Sequence, residues 1–318
     1  MTSPAPTPEP TSVVIGVDVG GTKIAAVAFA VESGVETATP VILDSRRAPT
    51  PSDSTELVSV ITELTVALAT ERSLRAIGLG LAGFIDATGI ARQAPNVPAL
   101  VDVDLPAALG RRFDVPVVVD NDANCAAWAA RHEVVPTATE VVVVAIGTGI
   151  GGGLIVDGRL VRGAHGFAGE PGHMVISPGG PPCVCGQAGC WETLASGSAL
   201  DRAAVATLGP GADGASLFVA AAANDPAASR ALDAYCDWLA LGIANLVNLL
   251  DPSTVLITGG IAAQGNALID RLRPALHRLP TVFTGRTVDV RTVGSGPDSA
   301  AIGAGLIARR ALEPTRSS

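Results

Sequence analysis

From Ser12 onward, runs of β-branched and small apolar residues alternate with segments of helical period. A half-buried strand repeats its apolar positions every two residues and a helix every three to four, so the two patterns can be told apart. SVVIGVDV and KIAAVAFAV read as two strands joined across Gly20-Gly21-Thr22, with VILDSRRA as a third. Thr55 to Thr70 has helical period, with Asp53 or Ser54 placed to cap it. AIGLGLAG and VPVVVDND follow as strands, the second running into a helix over 123–132. EVVVVAIG and GGLIVDGRL are two further strands around a Gly-rich turn. Residues 163–192, rich in Gly and Pro, read as irregular, and about 196–250 as a long helical region. A strand TVLITGG, a helix NALIDRLRPALHRL, a strand TVDVRTV and a closing helix from Asp298 complete the pattern, which predicts an α/β fold.

One design occurs twice. VVIGVDVGGTKIAAVAFA and VVVVAIGTGIGGGLIVDG each run from an apolar strand through a Gly turn into a second apolar strand. Repetition on this scale predicts two related domains facing each other across a cleft. Residues 13–119 with a C-terminal helix at about 300–312 would form the smaller α/β domain, and 120–299 the larger. Residues 1–12, Pro-rich and without a basic residue, read as a disordered lead.

Composition narrows the class. The net charge of −9 and pI near 4.9 argue against general affinity for nucleic acid or an anionic membrane. No apolar stretch is long enough to span a bilayer; the best, Trp238 to Leu250, carries Asn245 and Asn248. An odd count of five cysteines, without the basic and apolar regions of a signal peptide, favours a reduced, cytoplasmic setting. Lys23 is the only lysine among 21 basic residues.

Glycine turns carry the first chemical signal. In DVGGTK (18–23) a carboxylate, Asp18, stands beside Gly20 and Gly21, which let backbone N–H groups approach phosphate oxygens, with Thr22 and Lys23 following. GTGIGGG (147–153) has five glycines in seven positions between tight apolar strands. That density weakens a strand unless something must come close. Gly259-Gly260 follows the strand VLIT and suits the flat face of a base or ribose at a sheet edge.

Two further clusters stand out. Asp120, Asn121 and Asp122 follow an apolar strand where a helix begins, and three polar residues exceed what one cap needs. Cys183, Cys185 and Cys190 have the spacing C-x-C-x₄-C. Cysteines one residue apart bridge each other poorly. Three thiolates with one histidine make a closed tetrahedral zinc site, and both His165 and His173 are near.

The chain resembles the ROK sugar kinases of the actin/hexokinase/Hsp70 superfamily from about Val13 to about Arg309, on DVGGTK, GTGIGGG, GEPGH and CVCGQAGC. The resemblance implies a two-domain, duplicated ribonuclease H-like fold with an interdomain cleft, acting on a hexose with ATP and Mg²⁺. It implies that Asp18 positions Mg²⁺ while Gly20, Gly21, Thr22 and Lys23 form the first phosphate turn. Gly147, Thr148, Gly149 and Gly151 would form the second, and Gly259 and Gly260 would line the adenosine site. Asn121 would bind a sugar hydroxyl and Asp122 would be the general base, since phosphorylating an alcohol needs a base within reach of the hydroxyl. Glu170, His173 and Glu192 would hold ring hydroxyls, with Gly83 and Asn96 lining the sugar pocket.

The family also carries a histidine ten residues before its CxCGxxGC motif. It thereby implies His173 as the fourth ligand of a structural Zn²⁺ with Cys183, Cys185 and Cys190. CWE followed by ASG is similar to glucokinases rather than to N-acetylhexosamine kinases, which implies phosphorylation of D-glucose to glucose 6-phosphate. Pro171 and Thr193-Leu194 depart from the usual residues, and kinases for another hexose or for N-acetylmannosamine remain the alternatives. A sugar-sensing ROK regulator fits less well, because nothing basic precedes the first strand. A polyphosphate donor would favour a basic channel, and no Lys/Arg cluster is visible. The family implies a homo-oligomer, usually a dimer.

Overall fold

The computed structural model describes residues 11–31, 40–279, 288–294 and 296–312. The lead expected over 1–12 lies outside these except for Thr11 and Ser12, as does Thr287 of the strand TVDVRTV. The chain divides into two compact units. One closes at Ala129 and takes the chain back from Pro297; the other is Ala130–Gly296. The division thus falls inside a helix, past the junction expected at 119/120.

The first unit begins with β1 (Ser12–Val19), β2 (Lys23–Ala30), β3 (Ile42–Pro49) and α1 (Ser54–Ala69). Asp53 caps α1, accepting from the backbone N–H of Thr55 and Glu56. Next come β4 (Ser73–Leu81), the short hairpin β5 (Phe84–Ile85) and β6 (Ala91–Gln93), α2 (Leu105–Phe113), β7 (Val117–Asn121) and α3 (Asp122–Val134). The second unit continues with β8 (Val141–Ile146), β9 (Ile150–Val156), β10 (Arg159–Leu160), α4 (Trp191–Ala195), α5 (Gly197–Leu208), α6 (Gly214–Ala222) and α7 (Pro226–Leu250). It ends with β11 (Thr254–Thr258), α8 (Asn266–Arg278) and β12 (Asp289–Thr292), before α9 (Ser299–Arg310) returns to the first unit.

The two sheets repeat one plan, as the duplicated pattern predicts. Their strand orders are β3-β2-β1-β4-β7 and β10-β9-β8-β11-β12. In each, an antiparallel set of three is extended by two parallel strands. The central parallel strands β4 and β11 are apolar on both faces, β4 from Ala76 onward and β11 buried at every position, whereas the edge strand β12 exposes Asp289 and Arg291. In the first unit α9 lies directly on β1 and β4. A Cβ at Gly16 would run into the Ala301 carbonyl, and one at Gly78 into that of Ala304. Glycine at both positions brings helix and sheet backbones into contact.

Two readings of the sequence are corrected, and one element is added. The helical region at 196–250 is three helices, broken where Gly209, Gly211 and Asn224 adopt positive φ. GGLIVDGRL is a hairpin, because Asp157 and Gly158 both turn with positive φ. Helix α2 is an element beyond those expected: Leu105 and Leu109 are buried on one face, Asp104 accepts from the Ala107 N–H at 2.8 Å and Pro106 occupies its first turn.

Candidate functional site

In the first unit the parallel register sets Asp18 beside Gly80 and Gly80 beside Asp120, with Val19, Leu81 and Asn121 next along. The polar residues therefore gather at the carboxyl edge of β1, β4 and β7, where open α/β sheets bind ligands. Gly20 N–H donates to the Lys23 carbonyl at 3.1 Å, closing the DVGGTK turn. Asn96 lies against that turn, since a Cβ at Gly21 would stand 3.1 Å from its carbonyl oxygen. Gly83 is packed under the β5–β6 hairpin, where a Cβ would meet the Gln93 carbonyl.

Asn121 is the cap of α3. Its Oδ1 accepts from Ala123 N–H at 2.8 Å and Asn124 N–H at 3.2 Å, and its Nδ2 donates to the Gly83 carbonyl at 2.9 Å. Asp120 turns inward, accepting from Asn121 N–H and from Asn124 Nδ2 at 2.9 and 2.8 Å. Asp122 opens the helix, and burial raises its carboxyl above the ordinary range. Burial, then the charge of Asp122, pushes Asp18 up to about 6; Lys23 opposes this and Asp298 adds to it. Two carboxylates near one sheet edge form a site whose charge favours a cation.

In the second unit GTGIGGG joins β8 to β9. Gly147 N–H donates to the Gly149 carbonyl at 3.0 Å, and Gly197 N–H donates to the Gly147 carbonyl at 2.8 Å, docking the start of α5 on the turn. Gly259, with φ of +84°, sits so close to Ile146 that a Cβ would strike its backbone. Thr148, Gly151 and Gly260 belong to the same carboxyl edge of β8 and β11 or to the hairpin leaving it. Glu170 precedes a short 3-10 turn, Pro171–His173, packed on β9 at Ile150.

His173, Cys183, Cys185 and Cys190 each offer a donor atom, and these atoms lie within 4.8 Å of one another. His173 Nδ1 is 3.6 Å from Cys183 Sγ, and Cys185 Sγ is 3.6 Å from Cys190 Sγ. In a tetrahedral site with ordinary Zn–S and Zn–N lengths, donors stand about 3.5–3.8 Å apart. The cluster fits. His165, the other nearby histidine, is not part of it. Glu192 stands on the Cys183–His173 side, with Oε1 3.0 Å from Cys183 Sγ and 3.5 Å from His173 Nδ1. The preceding residue, Trp191, is fully buried and donates its indole N–H to the Trp238 carbonyl at 3.0 Å, so α4 is anchored on α7.

Some supporting residues carried no sequence signal. Thr50, at the end of β3, donates its hydroxyl to the Gly20 carbonyl at 2.6 Å, and its N–H to the Thr22 carbonyl. Asp298, just before α9, pairs with Arg47 at 2.6 Å and adds to the negative potential on Asp18. Both depend on pairings between distant parts of the chain.

The duplicated sheets, the carboxylates at one edge and the Cys₃His cluster together define a two-unit α/β chain of the hexokinase-like class. The ROK family profile matches residues 14–311, and the chain belongs to that family. It is 33% identical to a glucokinase of Streptomyces coelicolor over 93% of this chain and 97% of that one. It is 31% identical to an N-acetylmannosamine kinase of Escherichia coli O157:H7, over 93% and 98%. A ROK family glucokinase from Streptomyces griseus, solved in complex with glucose and AMPPNP, superposes with a TM-score of 0.72 at 32% identity, covering 94% and 99%. No helix among the described residues is long and apolar enough to cross a membrane.

Proposed function

We propose that this protein is an ATP-dependent hexose kinase that converts D-glucose to glucose 6-phosphate. The near full-length relation to glucokinases carries the reading. In this mechanism Asp122 accepts the proton of the C6 hydroxyl as its oxygen attacks the γ-phosphorus in line and ADP departs. A carboxyl held above its ordinary range is the better base near neutral pH. Asn121, with Oδ1 spent on its helix cap, retains one Nδ2 hydrogen for a sugar oxygen. Glu170, His173 and Glu192 hold the remaining hydroxyls, with Gly83 and Asn96 shaping the pocket.

The turns at Gly20-Gly21 and at Gly147, Gly149 and Gly151 bring the backbone close to the phosphates. The N–H groups of Gly20 and Gly147 are spent inside the turns, so the donors would come from the other turn N–H groups and from Thr22, Lys23 and Thr148, while Gly259 and Gly260 adjoin the adenosine. Mg²⁺, held near Asp18, would neutralise charge on the transferring phosphoryl group. His173, Cys183, Cys185 and Cys190 would hold a structural Zn²⁺. Bound through Nδ1, as the 3.6 Å contact with Cys183 favours, His173 keeps Nε2 for a hydroxyl. Four protein donors leave no open position for activating water, so the metal would orient residues rather than react. A homodimer in the cytoplasm completes the proposal.

Sugar-dependent ADP release tests the reading: D-glucose should be the best substrate in a panel with D-mannose and N-acetylmannosamine. A preference for N-acetylmannosamine would favour the second reading, to which the E. coli relative points. No sugar-dependent release at all would defeat both.

A further inference from the structure

The glycines of GTGIGGG are not alike. A Cβ at Gly147 would meet nothing within 4 Å, so packing within the protein does not require glycine there. At Gly152 a Cβ would run into the Val143 carbonyl across the hairpin. At Gly149 the neighbour is a side chain: Glu192 Oε2 would lie 2.6 Å from the added carbon, and Cδ 3.7 Å. Gly149 is not among the positive-φ glycines, so its backbone does not demand glycine either. The space a side chain would take is filled by one carboxylate.

That carboxylate is confined on its other side as well. Its Oε1 faces Cys183 Sγ at 3.0 Å and His173 Nδ1 at 3.5 Å. Its backbone is anchored by buried Trp191 ahead of it and by the Gly197–Gly147 hydrogen bond beyond it. A methyl group at 149 would leave the turn's backbone unstrained and displace the far end of Glu192 towards the metal donors.

We infer that Gly149 is a positioning residue for Glu192, so that a position in the phosphate turn governs hexose affinity and metal retention. The inference rests on the proposed role of Glu192 as a hydroxyl acceptor. Glucose then depends on residue 149 through Glu192, and nucleotide depends on it much less.

The experiment is a double-mutant cycle on the zinc-loaded, full-length protein: wild type, Gly149→Ala, Glu192→Ala and the double variant. D-Glucose and Mg·ADP dissociation constants are measured by calorimetry, together with the rate of zinc loss to a chelator. Gly149→Ala should weaken glucose about tenfold, as the misplacement of one charged hydrogen-bond partner does. On the Glu192→Ala background it should change glucose affinity less than about twofold. Equal losses on both backgrounds, or a loss confined to Mg·ADP, would overturn the inference. Should the wild type bind no glucose, the hexose reading fails on its own. The zinc arm then decides: faster zinc loss in Gly149→Ala only when Glu192 is present supports the positioning role, and loss independent of Glu192 contradicts it.

Discussion

Asn121 and Gly83 are tied by a 2.9 Å hydrogen bond from the Asn121 side-chain amide to the Gly83 carbonyl. The same side chain caps α3 through its other end. One residue thereby fixes the start of the helix that carries Asp122 and the strand end that precedes the β5–β6 hairpin. Asn121→Ala removes both ties and should cost about 1–2 kcal/mol, seen as a lower denaturation midpoint with an unchanged slope. Asn121→Ser keeps a capping oxygen but cannot reach as far, so it should recover most of the stability while glucose KM stays raised. Full recovery of both would show that the Gly83 tie has no role in substrate binding.

Asp18 gives the protein a definite pH dependence. Its carboxyl moves from the ordinary 3.8 to about 6 on folding, chiefly through burial and then through Asp122. A raised carboxyl favours the protonated native state, so its contribution to stability is complete below about pH 4. It is lost as pH rises through about 6, an effect of up to about 3 kcal/mol. Without nucleotide or Mg²⁺, the melting temperature should therefore fall between pH 4.5 and 7 more steeply for the wild type than for Asp18→Asn. Parallel profiles would show that Asp18 is not strained by its surroundings.

The cysteine cluster should act on sugar binding through His173. Cys185→Ser removes one donor of the tetrahedral set and should lower bound zinc below one equivalent. It should also raise glucose KM at least about tenfold, the scale of disrupting a residue that orients a metal-bound ligand. Zinc loss with an unchanged glucose KM would separate the metal from His173's contact with sugar.

Much of this was legible along the chain because strand and turn signals are local. The duplicated strand–Gly–strand design foretold the two matching sheets, and Asp53 before α1 foretold its cap. The Cys₃His set followed from thiol spacing plus the family's histidine position, since the sequence alone left His165 and His173 equal. The breaks at Gly209, Gly211 and Asn224 are marked in the sequence by Gly-Pro-Gly at 209–211 and Asn-Asp-Pro at 224–226, but the alanine-rich helical period on either side outweighed them. The Asp-Gly pair at 157–158 between apolar residues is a strong hairpin signal, but the second strand, Arg159–Leu160, is too short to show a period of its own. Thr50 against Gly20 and Glu192 against Gly149 had no local signal, because each joins segments that only the fold brings together.

The central claim is that Asp122 takes the hydroxyl proton in phosphoryl transfer to a hexose. Asp122→Asn keeps the size of the side chain and an oxygen able to accept from Ala123 N–H, now at 2.9 Å, but gives up the base. The most direct measurement is kcat for glucose-dependent ADP formation in this variant, alongside its glucose dissociation constant. The account predicts that kcat falls roughly 100- to 10,000-fold while glucose affinity stays within a few-fold of wild type. A kcat near the wild-type value would contradict it.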